Sequence, residues 1–159
     1  MTAEACLIRL AEISESLAFL MPVGPADSDP SPGTTIEVPW HGPDGSRGLV
    51  LLALDPGAAS AATANMLGLA PDAEPSDDDR REAICELANV VAGNLLPVYF
   101  GGDHEYHLEA PRACAARALT GRPVLRLELV EGSIGVALEN EPDNSRILKA
   151  VVLPPALRR

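Results

Sequence analysis

The segment SDDDRREAICELANVVAGNLLP, residues 76–97, contains the strongest helix pattern in the chain. Ser76 is a favourable N-cap, and the three aspartates after it lie in the first turn, where the helix dipole favours negative charge. Apolar residues recur at helical spacing, namely Ile84, Leu87, Val91 and Leu95. Pro97 is expected to end the helix. The pattern therefore predicts a helix over residues 76–96 that buries one face in a core.

The opposite side of this helix carries residues that need an explanation. At about 100° per residue, that side gathers Glu82, Glu86, Asn89 and Gly93. Glu86 and Asn89 are neighbours on it, and asparagine and glycine are both unfavourable inside an exposed helix. Two explanations are open from the pattern alone. The face is solvated and Gly93 lets another element of the chain pack closely, or a partner docks here on Glu86 and Asn89, with Gly93 keeping the surface low.

The remaining segments predict a single α+β domain over residues 1–159. Helices are expected at residues 3–20 and 58–69, and a loop or linker with four prolines at residues 21–33. Strands are expected as a hairpin over residues 35–54, as alternating segments at 105–110, 124–130 and 133–139, and as a final strand at 145–153. This order predicts a mostly antiparallel sheet with helices packed on one face.

Two details of the predicted sheet follow from particular residues. Pro39 lacks a backbone N–H, so its strand is expected at a sheet edge or next to a bulge. The last hairpin is expected to present six apolar side chains on one face, namely Leu125, Leu127, Leu129, Ile134, Val136 and Leu138.

Composition excludes several classes of function. The chain has 159 residues, a net charge of −11 and only 3% aromatic residues, which argues against nucleic-acid binding by phosphate neutralisation or base stacking. No segment has the length expected of an apolar membrane span. The N-terminal apolar segment contains charged residues, whereas the apolar region of a signal peptide is uncharged. The three cysteines have no metal or redox spacing and are expected to be reduced, buried thiols. A cytoplasmic protein is predicted.

The spacing of the helix residues resembles the signature of the CheX, CheC and FliY chemotaxis phosphatases. That signature is an acid or serine, three residues, glutamate, two residues, asparagine, and a proline about twenty residues later. Glu82, Glu86 and Asn89 match this spacing, and Pro111 follows Asn89 after 21 intervening residues. Glu82 departs from the usual aspartate or serine. The hairpin before the helix and the strands after it also suit this family.

The first predicted helix separates the subtypes of this family. CheC-type members have two signature helices, whereas CheX-type members have one functional copy. Glu12 and Glu15 in the first helix have no asparagine three residues later. The chain therefore resembles the single-site, CheX-like kind.

The resemblance implies a phosphatase that hydrolyses the aspartyl phosphate of a CheY-like receiver domain. Asn89 would position the attacking water, Glu86 would pair with the receiver's active-site lysine, and Glu82 and Gly93 would belong to the partner-binding surface. The Mg²⁺ of the reaction belongs to the receiver, so no metal or cofactor of the chain's own is expected. The alternative is a non-catalytic receiver-binding or dimeric scaffold module in bacterial signalling.

Two other charged clusters are expected to have no catalytic role. His104 and His107 have a metal-like spacing, but residues three apart on a strand point to opposite faces. Four arginines cluster late in the chain, at Arg112, Arg117, Arg122 and Arg126. They are expected on a solvated helix or loop face, with contact to an acidic receiver surface as the alternative.

The resemblance also implies a homodimer, because similar proteins associate through sheet edges. The strand with Pro39 is a poor candidate for such pairing, and a later strand is favoured.

Overall fold

An antiparallel sheet of seven strands carries three helices on one of its faces. The computed structural model describes residues 2–70, 72–102, 104–121 and 123–141. The helices are α1 (Thr2–Ser16), α2 (Pro56–Leu67) and α3 (Asp77–Phe100). The strands are β1 (Pro22–Pro25), β2 (Thr34–His41), β3 (Arg47–Leu54), β4 (His107–Leu108), β5 (Arg112–Ala113), β6 (Val124–Leu129) and β7 (Gly132–Glu141). The predicted α+β class is confirmed.

The strand order across the sheet is β1-β6-β7-β3-β2-β4, and β5 also pairs with β2. β2 and β3 form the predicted hairpin, joined by a 3-10 turn at Pro43–Gly45. Pro39 lies in β2, which is next to the sheet edge formed by β4 and β5. Its position falls between the short pairings of β2 with these two strands. Its carbonyl accepts from the Glu109 N–H at 2.8 Å. The residue without an N–H therefore lies where the outer pairing is interrupted.

The core lies between the helices and one face of the sheet. The six apolar side chains predicted to share a face of the β6–β7 hairpin are all buried in it. Leu125 lies opposite Val136 and Leu127 opposite Ile134, so the prediction that these side chains share one face is confirmed. All three helices contribute to the same core, in which the buried side chains include Leu10, Ala62 and Leu87.

The connection between α1 and the sheet differs from the sequence prediction. The helix ends at Ser16 instead of residue 20, because the backbone turns at Phe19, which has a left-handed φ of 52°. Leu20 is buried in this connection, which is why the apolar spacing continues beyond the helix end. Pro22–Pro25 is a strand paired with β6, although residues 21–33 were expected to be a loop. An edge strand tolerates proline because only one side of it is paired.

The end of α3 also differs from the prediction. The helix continues through Pro97 to Phe100. A proline inside a helix removes the N–H that would bond to the carbonyl four residues earlier. That residue is the exposed Gly93, and the packing of the final turn, in which Phe100 lies 5.3 Å from Trp40 between ring centroids, favours continuation.

Helix α3 is, by length and composition, apolar enough to cross a membrane, which corrects the expectation that no segment has that length. The core helix of a soluble protein passes the same test. Eight of its residues are buried within the fold, among them Ile84, Leu87 and Val91. This packing accounts for the apolar composition of α3 without a membrane.

The remaining sequence predictions have separate outcomes. The cysteines are free; Cys6 is buried, whereas Cys85 and Cys114 are only partly buried, and burial raises the pKa of all three thiols. The predicted final strand at residues 145–153 lies outside the described residues. β6 and β7 each have a strand on both sides, so neither is the later edge strand that was favoured for dimer contacts.

An ion pair joins the loop after β1 to the neighbouring strand. The Asp29 carboxylate accepts from Arg126 Nε at 2.7 Å and from the Leu119 N–H at 3.1 Å. The hydrogen bond from Arg126, followed by that from Leu119, lowers the pKa of Asp29 below its usual value. The folded state therefore favours the ionised carboxylate.

We predict that Asp29→Asn destabilises the fold at pH 7 by about 1 kcal/mol or less, because the pair is partly exposed. A carboxylate with a lowered folded pKa contributes stability above its unfolded pKa and loses that contribution as the pH falls through the folded value. The stabilities of the wild type and the variant in urea unfolding should thus differ at pH 7, begin to converge at about pH 4 and meet only below the lowered folded pKa. Asp27→Asn, at an exposed position in the same loop, is the control. A gap that persists at pH 2 would contradict this assignment.

Candidate functional site

The start of α3 is fixed by a capping box, as Ser76 predicted. The Asp79 N–H donates to Ser76 Oγ at 3.1 Å, and the Ser76 N–H donates to the Asp79 carboxylate at 3.3 Å. These two bonds satisfy backbone donors that the first helical turn leaves unpaired. They also fix where α3 begins, and hence which residues face the core.

The predicted apolar stripe of α3 is the buried one. Ile84, Leu87, Val91 and Leu95 are fully buried. They belong to the core that α3 forms with α1, α2 and the sheet. Because this stripe is held inward, the opposite side of α3 faces outward.

The outward stripe consists of Glu82, Glu86, Asn89 and Gly93, and all four are exposed. Glu86 and Asn89 lie one turn apart on it, so both side chains reach the same area of solvent. Within the described parts of the chain, the side chains of Glu82, Glu86 and Asn89 form no hydrogen bond or ion pair. The structure therefore brings together all four residues predicted for the site and leaves their polar groups available to a partner.

The glycine in this stripe is not required by packing inside the chain. A Cβ built on Gly93 would meet only Leu108 Cδ1, at 3.8 Å, which is an ordinary van der Waals contact. The explanation that Gly93 allows another element of the described chain to pack closely is therefore not supported. Because Gly93 has no side chain, the helix backbone at this position remains accessible to an outside partner.

The two arginines that directly precede the stripe in α3 are paired with acids at or just before the start of the helix. Arg80 contacts Glu74 at 2.6 Å and Asp77 at 3.1 Å, and Arg81 contacts Asp78 at 3.5 Å. Arg80 is mostly buried and is held by two acids, whereas the Arg81–Asp78 pair is exposed and contributes little. Among the described residues no cation forms an ion pair with Glu82 or Glu86, which favours a positively charged group on whatever docks there.

The histidines singled out from the sequence do not form a metal centre. His107 is in β4 and lies opposite His41, whose Nε2 is 2.8 Å from Glu109 Oε1. His104 lies outside the strand. Across residues 2–70, 72–102, 104–121 and 123–141, no three His, Cys, Asp or Glu side chains are close enough to hold a metal ion.

The later arginines are paired within the chain, in an extended segment and not on a helix. Arg112 contacts Glu37, Arg117 contacts Glu139 at 2.9 Å, and Arg126 contacts Asp29 at 2.7 Å. Arg122 lies outside the described residues. Arg112 and Arg117 are exposed, in β5 and in the loop after it, as expected of a solvated face, whereas Arg126 is partly buried in β6. Contact of these arginines with an acidic receiver surface stays a prediction.

Asn94 is a further polar residue of α3 that the sequence prediction left without a separate role. Its Nδ2 donates to the Val90 carbonyl at 2.8 Å, and its side chain lines a groove between α3 and α1. The available signal was an exposed asparagine inside a helix, the same signal that Asn89 gave. Its neighbourhood depends on α1, which no local pattern reveals.

Residues 42–129, more than half of the chain, match the protein family described as "Chemotaxis phosphatase CheX". The match contains the whole of α3 and Pro111. The chain belongs to the CheX family. The family predicted from the spacing of Glu82, Glu86 and Asn89 is thereby confirmed, and its description gives phosphatase activity at the family level.

Solved CheX structures have the same fold. CheX from Desulfovibrio desulfuricans superimposes with a TM-score of 0.66 at 16% identity, over 88% of this chain and 99% of that one. CheX from Vibrio vulnificus superimposes with a TM-score of 0.65 at 17% identity, over 88% of this chain and 96% of that one. A chain of the CheX–CheY–BeF₃–Mg²⁺ complex from Borrelia burgdorferi superimposes with a TM-score of 0.65 at 13% identity, over 87% of this chain and 97% of that one. At these identities the likeness shows the fold alone. No curated protein sequence matches the chain.

We predict that Gly93→Ala stabilises the isolated protein by about 0.5–1 kcal/mol, because alanine costs less conformational entropy in a helix than glycine. The space around Gly93 accepts the added methyl group without displacing Leu108. Chemical denaturation monitored by circular dichroism measures the change. A destabilised variant would show that Gly93 is needed for packing within the chain.

Proposed function

We propose that this CheX family member hydrolyses the aspartyl phosphate of a CheY-like receiver domain. The observation that carries the proposal is the outward position of Glu86 and Asn89 on one turn of α3, with neither side chain engaged inside the described chain. Phosphatase activity agrees with the family description. A receiver partner agrees with the CheX of Borrelia burgdorferi, which was crystallised with CheY, BeF₃ and Mg²⁺.

Asn89 is proposed to position the attacking water. An acyl phosphate is already reactive, so the catalyst has mainly to hold water in line with the bond that breaks. The carboxamide oxygen of Asn89 accepts a hydrogen bond from that water, as a glutamine does in GTPases. The water oxygen then bonds to phosphorus, and the bond from phosphorus to the aspartyl oxygen breaks. The products are the free carboxylate, inorganic phosphate and a proton.

Glu86 is proposed to bind the active-site lysine of the receiver. Its carboxylate is exposed and unpaired before docking, so no intramolecular pair has to be broken. A charge-assisted contact that loses water on docking is stronger than an exposed ion pair. One turn from Asn89, this contact would fix the register in which the amide meets the phosphoryl group.

Glu82 and Gly93 are proposed to complete the docking surface at the two ends of the stripe. Glu82 adds negative charge on the side of the helix start, where the nearby arginines are paired with other acids. Gly93 keeps the helix surface low on the other side of Asn89. The Mg²⁺ is proposed to come with the receiver, and the chain is proposed to need no cofactor of its own.

A homodimer and a cytoplasmic location are also proposed from the family resemblance. Both sheet edges in the described residues are poorly suited to pairing with another strand. β1 contains two prolines in four residues, and β4 and β5 have two residues each. A dimer formed by this chain would therefore use other contacts than continuous pairing along these described edges.

We predict that Asn89→Ala lowers the rate of receiver dephosphorylation at saturation by about 100-fold, because the water is no longer held in line. Glu86→Ala should instead raise the receiver KM by at least about tenfold, because an anchoring charge is lost. The measurement is the decay of a CheY-like receiver phosphorylated with acetyl phosphate and Mg²⁺. Glu128→Ala, at an exposed carboxylate on the sheet, is the matched control and should behave as wild type.

The same measurement separates the enzyme from a non-catalytic docking module. A wild-type chain that binds receivers without accelerating their dephosphorylation would leave only the docking module. An Asn89→Ala variant as fast as wild type would reject the role of the amide.

We further predict that Gly93→Ala lowers the dephosphorylation rate at limiting receiver concentration by about tenfold, while the fold becomes more stable, because the methyl group stands in the proposed contact. Loss of activity together with gained stability is the signature of a residue that serves a partner. Unchanged activity would remove Gly93 from the docking surface.

A further inference from the structure

A groove runs between α1 and α3 beside the proposed site. It has a volume of about 410 Å³ and is lined by Arg9, Glu12 and Ser16 of α1 and by Val90 and Asn94 of α3, among others. Val90 and Asn94 directly follow Asn89 and Gly93 in the chain, so they lie about 100° around the helix from the outward stripe. The groove is therefore continuous with that stripe.

The stripe alone is too small to bind a receiver domain. From Glu82 to Gly93 it is about 17 Å long, and with a helix width of about 10 Å it covers about 170 Å². A typical specific interface buries about 800 Å² on each partner, and weak signalling contacts bury somewhat less. A receiver that docks on Glu86 and Asn89 must therefore contact neighbouring elements as well.

The stripe also lacks an apolar anchor, which interfaces generally need at their centre. Its four residues are two acids, an amide and a glycine. On α1, directly before Arg9, Ile8 has 55% of its surface exposed. The other large, exposed apolar side chains of the described residues are on neither α1 nor α3, namely Phe19, Met21, Val23, Leu67 and Val130. Ile8 lies about 100° around α1 from Arg9 and outside the lining of the groove, and it is the exposed apolar side chain that α1 offers to a partner.

The polar groups of the groove can also change partners at little cost. Arg9 contacts Glu12 at 3.5 Å, with side chains 48% and 58% exposed, and exposed pairs of this kind contribute little stability. Arg9 is the single basic residue of α1. The Asn94 amide uses one N–H on the Val90 carbonyl, so its oxygen and its second N–H stay available.

We propose that Ile8, Arg9 and Asn94 form the second half of the receiver-docking surface. Ile8 contacts an apolar side chain beside the phosphorylation site of the receiver, Arg9 pairs with a carboxylate there, and Asn94 bonds to its backbone. This surface sets which receiver is bound and how tightly, whereas Asn89 sets the rate of hydrolysis. The proposal rests on the proposed function, because the receiver is its occupant.

The test compares Ile8→Ala/Arg9→Gln with the wild type on a CheY-like receiver, measuring KM and kcat with acetyl phosphate as donor. The variant should raise KM by about tenfold and leave kcat within about twofold, because its contacts serve binding and not water positioning. Arg9→Lys should retain most of the affinity and Arg9→Glu should lose more than Arg9→Gln. Both substituted side chains are exposed, so the variants should keep the wild-type thermal stability.

Val130→Ala is the matched control, since Val130 is also an exposed β-branched residue, with 67% of its surface exposed, but lies on the β6–β7 turn. A KM equal to wild type, or a fall in kcat alone, would overturn the proposal while the proposed function stands. Binding of the receiver with beryllofluoride and Mg²⁺ is measured separately by calorimetry. A chain that binds without hydrolysis would contradict the proposed function, and the dissociation constants of the α1 variants would still decide whether α1 takes part in docking.

Discussion

Helix α3 can bury only one of its faces, and the rest of the structure depends on which face that is. The capping box of Ser76 and Asp79 sets the helix start, and the stripe that includes Leu87 is held against the sheet and the other helices. Since each residue of a helix has a fixed direction once its phase is set, Glu86 and Asn89 have to point outward. The site is thus a by-product of core packing and needs no loop to position it.

A rigid helix surface suits the chemistry proposed for it. Loops carry many active sites, but residues on a packed helix keep their relative positions more closely. Asn89 and Glu86 are one turn apart on a helix whose other face is fully buried, so their separation is set before the partner arrives. Less entropy is then lost on docking, which would strengthen the proposed complex and help Asn89 align the water for attack.

Periodicity and capping make the sheet-facing half of this protein predictable from sequence. The spacing of Ile84 and Leu87 and the alternation in β6 and β7 are local consequences of burial. The buried faces predicted from them are confirmed. The predictions of a helix end at Pro97 and of a loop at β1 were wrong, because propensity rules describe a proline by itself. Packing around Phe100 extends the helix, and pairing with β6 makes β1 a strand. The stripe itself was visible because Asn89 and Gly93 are locally unfavourable. The groove with α1 was not, since the contact between α1 and α3 joins residues far apart in the chain.

The proposed site lacks two features that only a docked partner would supply. Two carboxylates of the stripe form no ion pair in the described chain, and Arg80, which precedes them in α3, is paired with Glu74 and Asp77. An amide in open water holds no single water molecule in one orientation. Both deficits are removed only when a partner supplies a positive charge and excludes solvent. In the proposed mechanism hydrolysis is therefore coupled to docking, and the charge and shape of the surface around Asn89 would decide which phosphorylated protein is acted on.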